Sequence, residues 1–266
     1  MPLQNLAARA YTCGGPTDRF QAVSVRRNFL ILAVLLAGSG LADSATVDVD
    51  LRQAFSLLPG TQWIYRGYVR SHVDGSTIGK VTGVTWTMSV ERTVERDGIS
   101  AVVVRGFPSD LDWSAGDAKP QASVLVETRE GKFYWNSQHD AQTMLNEIGD
   151  PKYSLRALAA DDDLVFQLPL AAGKKFCDEQ SMRREDGMYC WVVSGPHPAA
   201  LDHVKGVAPG ARAAYDLEYN TLPDDCEFEF VEGVGITRYE FHHHGTIADT
   251  ELRLVEFHPA ESAAIR

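Results

Sequence analysis

A long alternating segment that meets a tight-turn dipeptide and then comes back constrains this chain more than anything else in it. Val81 to Arg96 (VTGVTWTMSVERTVER) runs into Asp97-Gly98 and returns as Ile99 to Arg105 (ISAVVVR). Asp-Gly accepts the positive φ values of a two-residue hairpin turn, whose twist matches that of the flanking strands. So long a hairpin must bury a face against further strands or helices. The period of two recurs at Trp63, Tyr65 and Gly67, which alternate with Gln62, Ile64 and Arg66. It recurs again in a second hairpin, Ala122 to Arg129 and Lys132 to Trp135 around Glu130-Gly131. Leu164 to Leu168, Met188 to Ser194, Ala213 to Thr221, Glu227 to Val231, Gly235 to His244 and Ile247 to Phe257 are also β-prone. Helical spacing is confined to Asp50 to Leu58 (DLRQAFSLL), stopped by Pro59-Gly60, and to His139 to Ile148. About ten strands against two short helices predict an all-β fold. The expected form is a single antiparallel, strongly curved sheet, a half-barrel or sandwich, with one or two short helices.

Ahead of this domain lies the strongly apolar run Phe29 to Ala37 (FLILAVLLA), preceded by Arg26 and Arg27. It falls short of the roughly 20 apolar residues of a stable membrane span. It reads as the core of a signal peptide, with cleavage after Ala42, or alternatively Ala45. That divides the chain into a leader, 1–42, with a long n-region, and one β-rich domain, 43–266, working in the periplasm or outside the cell. Val25-Arg26-Arg27-Asn28-Phe29-Leu30 resembles the twin-arginine export signature, which implies export in the folded state. It departs from that signature at Val25, where Ser or Thr is preferred, so the general secretion route stays open.

The chain carries 25 basic and 36 acidic side chains, a formal charge of −11. The leader holds Arg9, Arg19, Arg26 and Arg27 against Asp18, so cleavage takes the charge to −14. Such a surface does not neutralise phosphates, which excludes nucleic acid as a partner, and it is repelled by anionic headgroups. Oligomeric state is not legible.

Cys13 falls in the leader, leaving Cys177, Cys190 and Cys226. Cys177 and Cys190 flank a polar, Gly-containing stretch between β-prone segments, which favours a disulfide between them in an oxidising compartment. Closing so short a loop is worth roughly 3 kcal/mol on the chain-entropy model. Pairings that use Cys226 remain as rivals.

Leu58-Pro59-Gly60-Thr61-Gln62-Trp63-Ile64-Tyr65-Arg66-Gly67 resembles a group of exported bacterial proteins of unknown function whose mature domain opens with a P-G-x-x-W-x-Y strand. Gly233-Val234-Gly235-Ile236 is similar to the Gly-x-Gly turn that these proteins carry later. The resemblance implies an exported β-rich domain and brings no catalytic residue with it.

Three constellations bear on function. In Glu240-Phe241-His242-His243-His244 an extended strand places His242 and His244 on one face with Glu240, and Glu251 or Asp249 on the next strand adds a carboxylate for a divalent metal. The competing reading is a solvated face beside a turn. Asp110-Leu111-Asp112-Trp113-Ser114-Ala115-Gly116-Asp117 starts like a calcium loop, but its glycine comes one residue late and Gln121 stands where the bidentate Glu belongs. Trp113, in that loop, is the tryptophan expected to make an exposed contact. Finally, Trp63, Tyr65 and Trp86 are the residues expected to line a binding concavity. There is no G-x-S-x-G elbow, phosphate loop, H-E-x-x-H helix or dinucleotide-binding glycine run. The first expectation is therefore a non-catalytic exported β-domain that binds a small apolar molecule, lipid or envelope component and needs no cofactor. A metal-binding protein or metal-dependent enzyme built on His242 and His244, and a structural protein without a pocket, are the alternatives.

Overall fold

The structure is a computed structural model that describes residues 55–71, 79–135, 141–160, 163–245 and 248–260. The leader, its twin-arginine segment, Cys13, most of the helix expected from Asp50, His139, Asp161, Asp162 and Ile247 lie outside the described residues. Among the described residues no helix is long and apolar enough to cross a membrane.

Twelve strands form one antiparallel sheet. They are β1 (Gln62–Ser71), β2 (Lys80–Arg96), β3 (Ile99–Arg105), β4 (Ala122–Thr128), β5 (Lys132–Trp135), β6 (Leu164–Gln167), β7 (Lys175–Phe176), β8 (Trp191–Pro198), β9 (Ala213–Asn220), β10 (Asp224–Val231), β11 (Gly235–His243) and β12 (Ala248–His258). Their order is β6-β5-β4-β3-β2-β1-β12-β11-β10-β9-β8-β7. Two meanders thus meet at one pairing, β1 with β12. The edge strands β6 and β7 contact each other, which curls the sheet into a nearly closed barrel. The expected all-β, strongly curved antiparallel sheet is what forms, and two short helices accompany it: α1 (Ala141–Gly149) and α2 (Glu179–Met182).

Asp97 and Gly98 both have positive φ, 55° and 77°, and Arg96 pairs with Ile99 as the dipeptide requires. One expectation fails. Phe55 to Leu58 is not helical, and the alternate residues Phe55 and Leu57 are the buried ones. The Phe55 ring enters the barrel, where it packs edge-on against Trp63 and Phe230 at 5.9 and 5.2 Å. A helical turn here would have aimed Phe55 and Leu58 at one face instead of burying alternate side chains.

The large core fills the barrel with aromatic rings from β1, β5, β6, β10 and β11. A second core lies outside it, where Met144 and Ile148 of α1 and Leu155 and Leu158 of a 3-10 turn cover Ala101, Val103, Val124 and Val126. Strands β3 and β4 are therefore buried on both faces, which is why the run Ala101-Val102-Val103-Val104 does not alternate. Across β9 to β12, by contrast, inward apolar residues alternate with outward charged ones.

Cys177 and Cys190 form the expected disulfide, with Cα atoms 4.7 Å apart at the end of the β7–β8 pair. Its loop holds α2, capped by Asp178, which accepts from the Gln180 and Ser181 amides at 2.7 and 2.9 Å. Cys226 is buried inside the barrel wall and outside this bond.

Gly235, at φ 100°, is where the chain turns into β11 against Phe55; a Cβ there would sit 2.4 Å from Phe55 Cε2. Gly235→Ala is expected to cost about 2–4 kcal/mol through this overlap and the positive φ. Adding Phe55→Ala removes the overlap, so urea unfolding of the two single variants and the double variant should give losses that are less than additive by at least about 1 kcal/mol. Additive losses would mean that Phe55 does not pack against Gly235.

Candidate functional site

Inside the barrel, the three aromatic residues expected to line a binding surface are core instead. Trp63 and Tyr65 are fully buried and Trp86 is 5% exposed. Their polar ends meet backbone carbonyls: Trp63 Nε1 donates to Val234 at 2.6 Å, the Tyr65 hydroxyl to Ile236 at 2.9 Å, and Trp86 Nε1 to Gly106 at 2.8 Å. Burial pushes the Tyr65 hydroxyl pKa well up, which keeps it a donor. With ring and polar tip both engaged, these residues hold strands together and present no surface to a guest.

The crevice is elsewhere in the same interior. Phe55, Phe107, Phe133, Trp135, Phe166 and Phe228 are among its lining residues, and the unfilled space between them is water-sized, about 20 Å³. The rings are packed against one another. Phe133 stacks on Phe166 at 4.6 Å, and Phe107 lies 4.3 Å from Trp135. One polar atom in this wall is unsatisfied: Trp135 Nε1 is buried and has no hydrogen-bond partner among the described residues. The sequence offered Trp135 only as one more strand aromatic. Nothing local distinguishes an indole whose N–H meets a carbonyl, as in Trp63, from one whose N–H does not.

The segment after β3 carries two acidic side chains, Asp110 and Asp112, that are held by different partners. Asp112 is buried, accepts from the Tyr239 hydroxyl, and its pKa is pushed well up by desolvation against the pull of that hydrogen bond. Asp110 is raised to about 6 by burial, opposed by the Gln121 amide at 2.7 Å and by Arg105. Asp224 Oδ1 accepts from His243 Nδ1 at 2.7 Å. Trp113, 38% exposed at φ 62°, lies edge-on to the His243 ring at 4.3 Å. The segment is therefore an anchored flap and not a calcium loop. Asp110 and Asp112 turn to the Gln121 amide and to Tyr239, so their carboxylates do not converge on a shared point.

The histidines of the expected metal site part company. His242, on the outer face of β11, lies 3.3 Å from Asp249, while His244 falls beyond the end of β11 and faces Asp225 at 2.6 Å. The two rings are thus engaged by carboxylates on different strands, β12 and β10. Glu240 bonds Arg238 at 3.3 Å, and Glu251 bonds Arg253 at 3.3 Å. Among the described residues, the group of three ligating side chains close enough to share one cation is a different one: His197 on β8, Asp216 on β9 and Glu229 on β10, with one ligand atom from each lying within 4.8 Å of the others. Their separation along the chain hid them, because only the register of three strands brings them together.

No protein-family model and no curated protein sequence matches this chain. Among solved structures it is similar to a Bacteroides fragilis protein assigned to export and to a YmcC-like fold. The likeness covers 75% of this chain and 96% of that one at 12% identity and a TM-score of 0.33, and it decides nothing about this chain.

The raised pKa of Asp110 has a measurable sign. Between the usual carboxylate range and about pH 6 the folded protein keeps a proton that the unfolded chain has released, so this group makes stability fall as pH rises through that window. Asp110→Asn removes the contribution. The variant should gain on the wild type by about 1–2 kcal/mol between pH 4 and pH 7, read as urea midpoints, and the gain should be level above pH 7. A difference that does not change with pH would place Asp110 in water.

Proposed function

We propose that the protein is an exported, non-catalytic β-domain that takes a small, uncharged apolar molecule bearing one hydrogen-bond acceptor into the aromatic crevice of its barrel. The observation that carries this reading is the Trp135 indole, buried at the crevice wall with its N–H unpartnered. An unmade hydrogen bond of this kind costs about 1–3 kcal/mol, and a carbonyl, ether or hydroxyl oxygen on a guest removes that cost. The rest of the lining is aliphatic and aromatic, which favours a guest without charge.

The water-sized free space means that something must give way to admit the guest, and Phe55 is that part. Its ring lies in the crevice, and it belongs to the segment leading into β1, outside the hydrogen-bonded strands. Displacing it leaves a ring-sized position bounded by Phe133, Phe166 and Phe230. Export rests on the apolar run Phe29 to Ala37 behind Arg26 and Arg27, and it makes an envelope lipid fragment or other envelope component the natural source of the guest.

Titration calorimetry with acetophenone and ethylbenzene, which differ mainly by the carbonyl, tests the reading. The preference of the wild type for acetophenone should exceed that of Trp135→Phe by about tenfold, the worth of one recovered hydrogen bond. Phe55→Ala should bind both compounds more tightly than the wild type. The same preference in wild type and Trp135→Phe, or no binding of either compound by Phe55→Ala, would remove the proposal.

A further inference from the structure

The outer face of the same sheet carries a group that the crevice does not use. Asp216 and Glu229 are directly opposed across β9 and β10, and His197 on β8 pairs with Ala214, two residues from Asp216. All three side chains point away from the core. The register of β8 shifts between Ser194 and His197, at Gly195 with φ 103°, and this bulge re-aims the His197 ring toward β9. His197 Nε2 then lies 3.0 Å from Asp216 Oδ2 and 3.9 Å from Glu229 Oε2. A tetrahedral ion with bonds of about 2.0–2.2 Å holds its ligands about 3.3 Å apart, so these separations bracket what one first-row cation requires.

The remaining atom of each ligand is also engaged. Arg238 Nη2 donates to Asp216 Oδ1 at 2.8 Å, and the Thr237 hydroxyl donates to Glu229 Oε1 at 2.5 Å. His197 Nδ1 faces its neighbour's carbonyl, Pro198 O, at 3.4 Å, an arrangement that favours the tautomer with its proton on Nδ1 and its lone pair on Nε2. Outer contacts of this kind fix the ligand atoms of protein metal sites. The surroundings attract a cation. Glu218, Glu227, Glu240 and Glu251 stand opposite one another across β9 to β12 beside this group, with Arg238 and Arg253 as the neighbouring cations.

We infer that His197, Asp216 and Glu229 form a site for one divalent first-row metal ion, Zn²⁺ by its fit to one imidazole and two carboxylates, with the remaining coordination position open to water. The ligand set is that of an accessible three-residue site and not of a closed structural one. The side chains are 36%, 17% and 20% exposed, so solvent reaches it. On binding, the His197–Asp216 contact gives way to two metal bonds.

The test is zinc titration calorimetry on untagged, chelator-treated protein in the His242→Ala/His244→Ala background, which removes the adventitious imidazoles. One equivalent of Zn²⁺ should bind, and His197→Ala should weaken it at least 30-fold. Glu229→Gln, which keeps the shape and loses the charge, should weaken it at least tenfold. Thr237→Val should weaken it about tenfold by freeing the Glu229 carboxylate, as lost outer contacts do. Cobalt(II) added to the same background should give intense visible absorption that His197→Ala abolishes. Unfolding midpoints of each variant without metal separate loss of the site from loss of the fold, and Glu229→Gln serves if His197→Ala is unstable. No stoichiometric zinc binding, or folded His197→Ala and Glu229→Gln variants that bind like their parent, would overturn the inference.

Discussion

Among the described residues the β1–β12 ladder is the one strand pairing that joins strands not consecutive in sequence, and the barrel exists because of it. Ten residues of β1 are in register with β12, and on its other side β1 is fully paired with β2. On one side lie β2 to β6, on the other β12 back to β7, each a simple meander that local turns can build. Joining them closes a loop of nearly the whole domain, and that entropy must be met before the contacts it permits are made. Two buried hydrogen bonds reinforce the junction from inside, Trp63 to Val234 and Tyr65 to Ile236, each spanning 171 residues. Their donors belong to the P-G-x-x-W-x-Y segment and their acceptors to the Gly-x-Gly turn. These two motifs, far apart in the sequence, are the two halves of one clasp.

That clasp determines what the interior can offer. Because Trp63, Tyr65 and Trp86 satisfy their polar atoms on backbone carbonyls, the strands around β1 are closed to a guest. The crevice is left to rings from β5, β6 and β10 and to Phe55 and Phe107. Trp135 and Phe55 differ from Trp63 in one respect that matters for binding. The first lacks an acceptor, and the second is held by ring contacts on a segment outside the strands.

The outside of the barrel obeys a different rule. On β9 to β12, alternate residues face water, and the directly opposed glutamates Glu218, Glu227, Glu240 and Glu251 repel one another. Arg238 reaches Glu227, Glu240 and Asp216 from a single position, which is how the face tolerates that row. Desolvation and the neighbouring acids outweigh Arg238 at Glu227 and raise its pKa. Part of the acidity counted in the sequence thus stands as one row across a single curved face.

The sequence by itself determined the elements and their immediate partners. Asp97-Gly98 fixed a hairpin because its backbone preferences are local. Cys177 and Cys190 were legible as a pair because a short polar loop left few alternatives, and the inward and outward positions of β9 to β12 followed from the period of two. Only the tertiary structure decided what those positions meet. His242 and His244 are two apart in the chain, yet each meets a carboxylate on a different strand, Asp249 and Asp225. His197, Asp216 and Glu229 are far apart and converge because a bulge and two registers align them. Trp63 and Trp135 are both inward strand tryptophans, and Trp63 has a carbonyl within reach only because a turn 171 residues away brings Val234 to it. Periodicity specifies the direction of a side chain, but the atom at its tip is chosen by strands whose order and register depend on the closure of β1 onto β12.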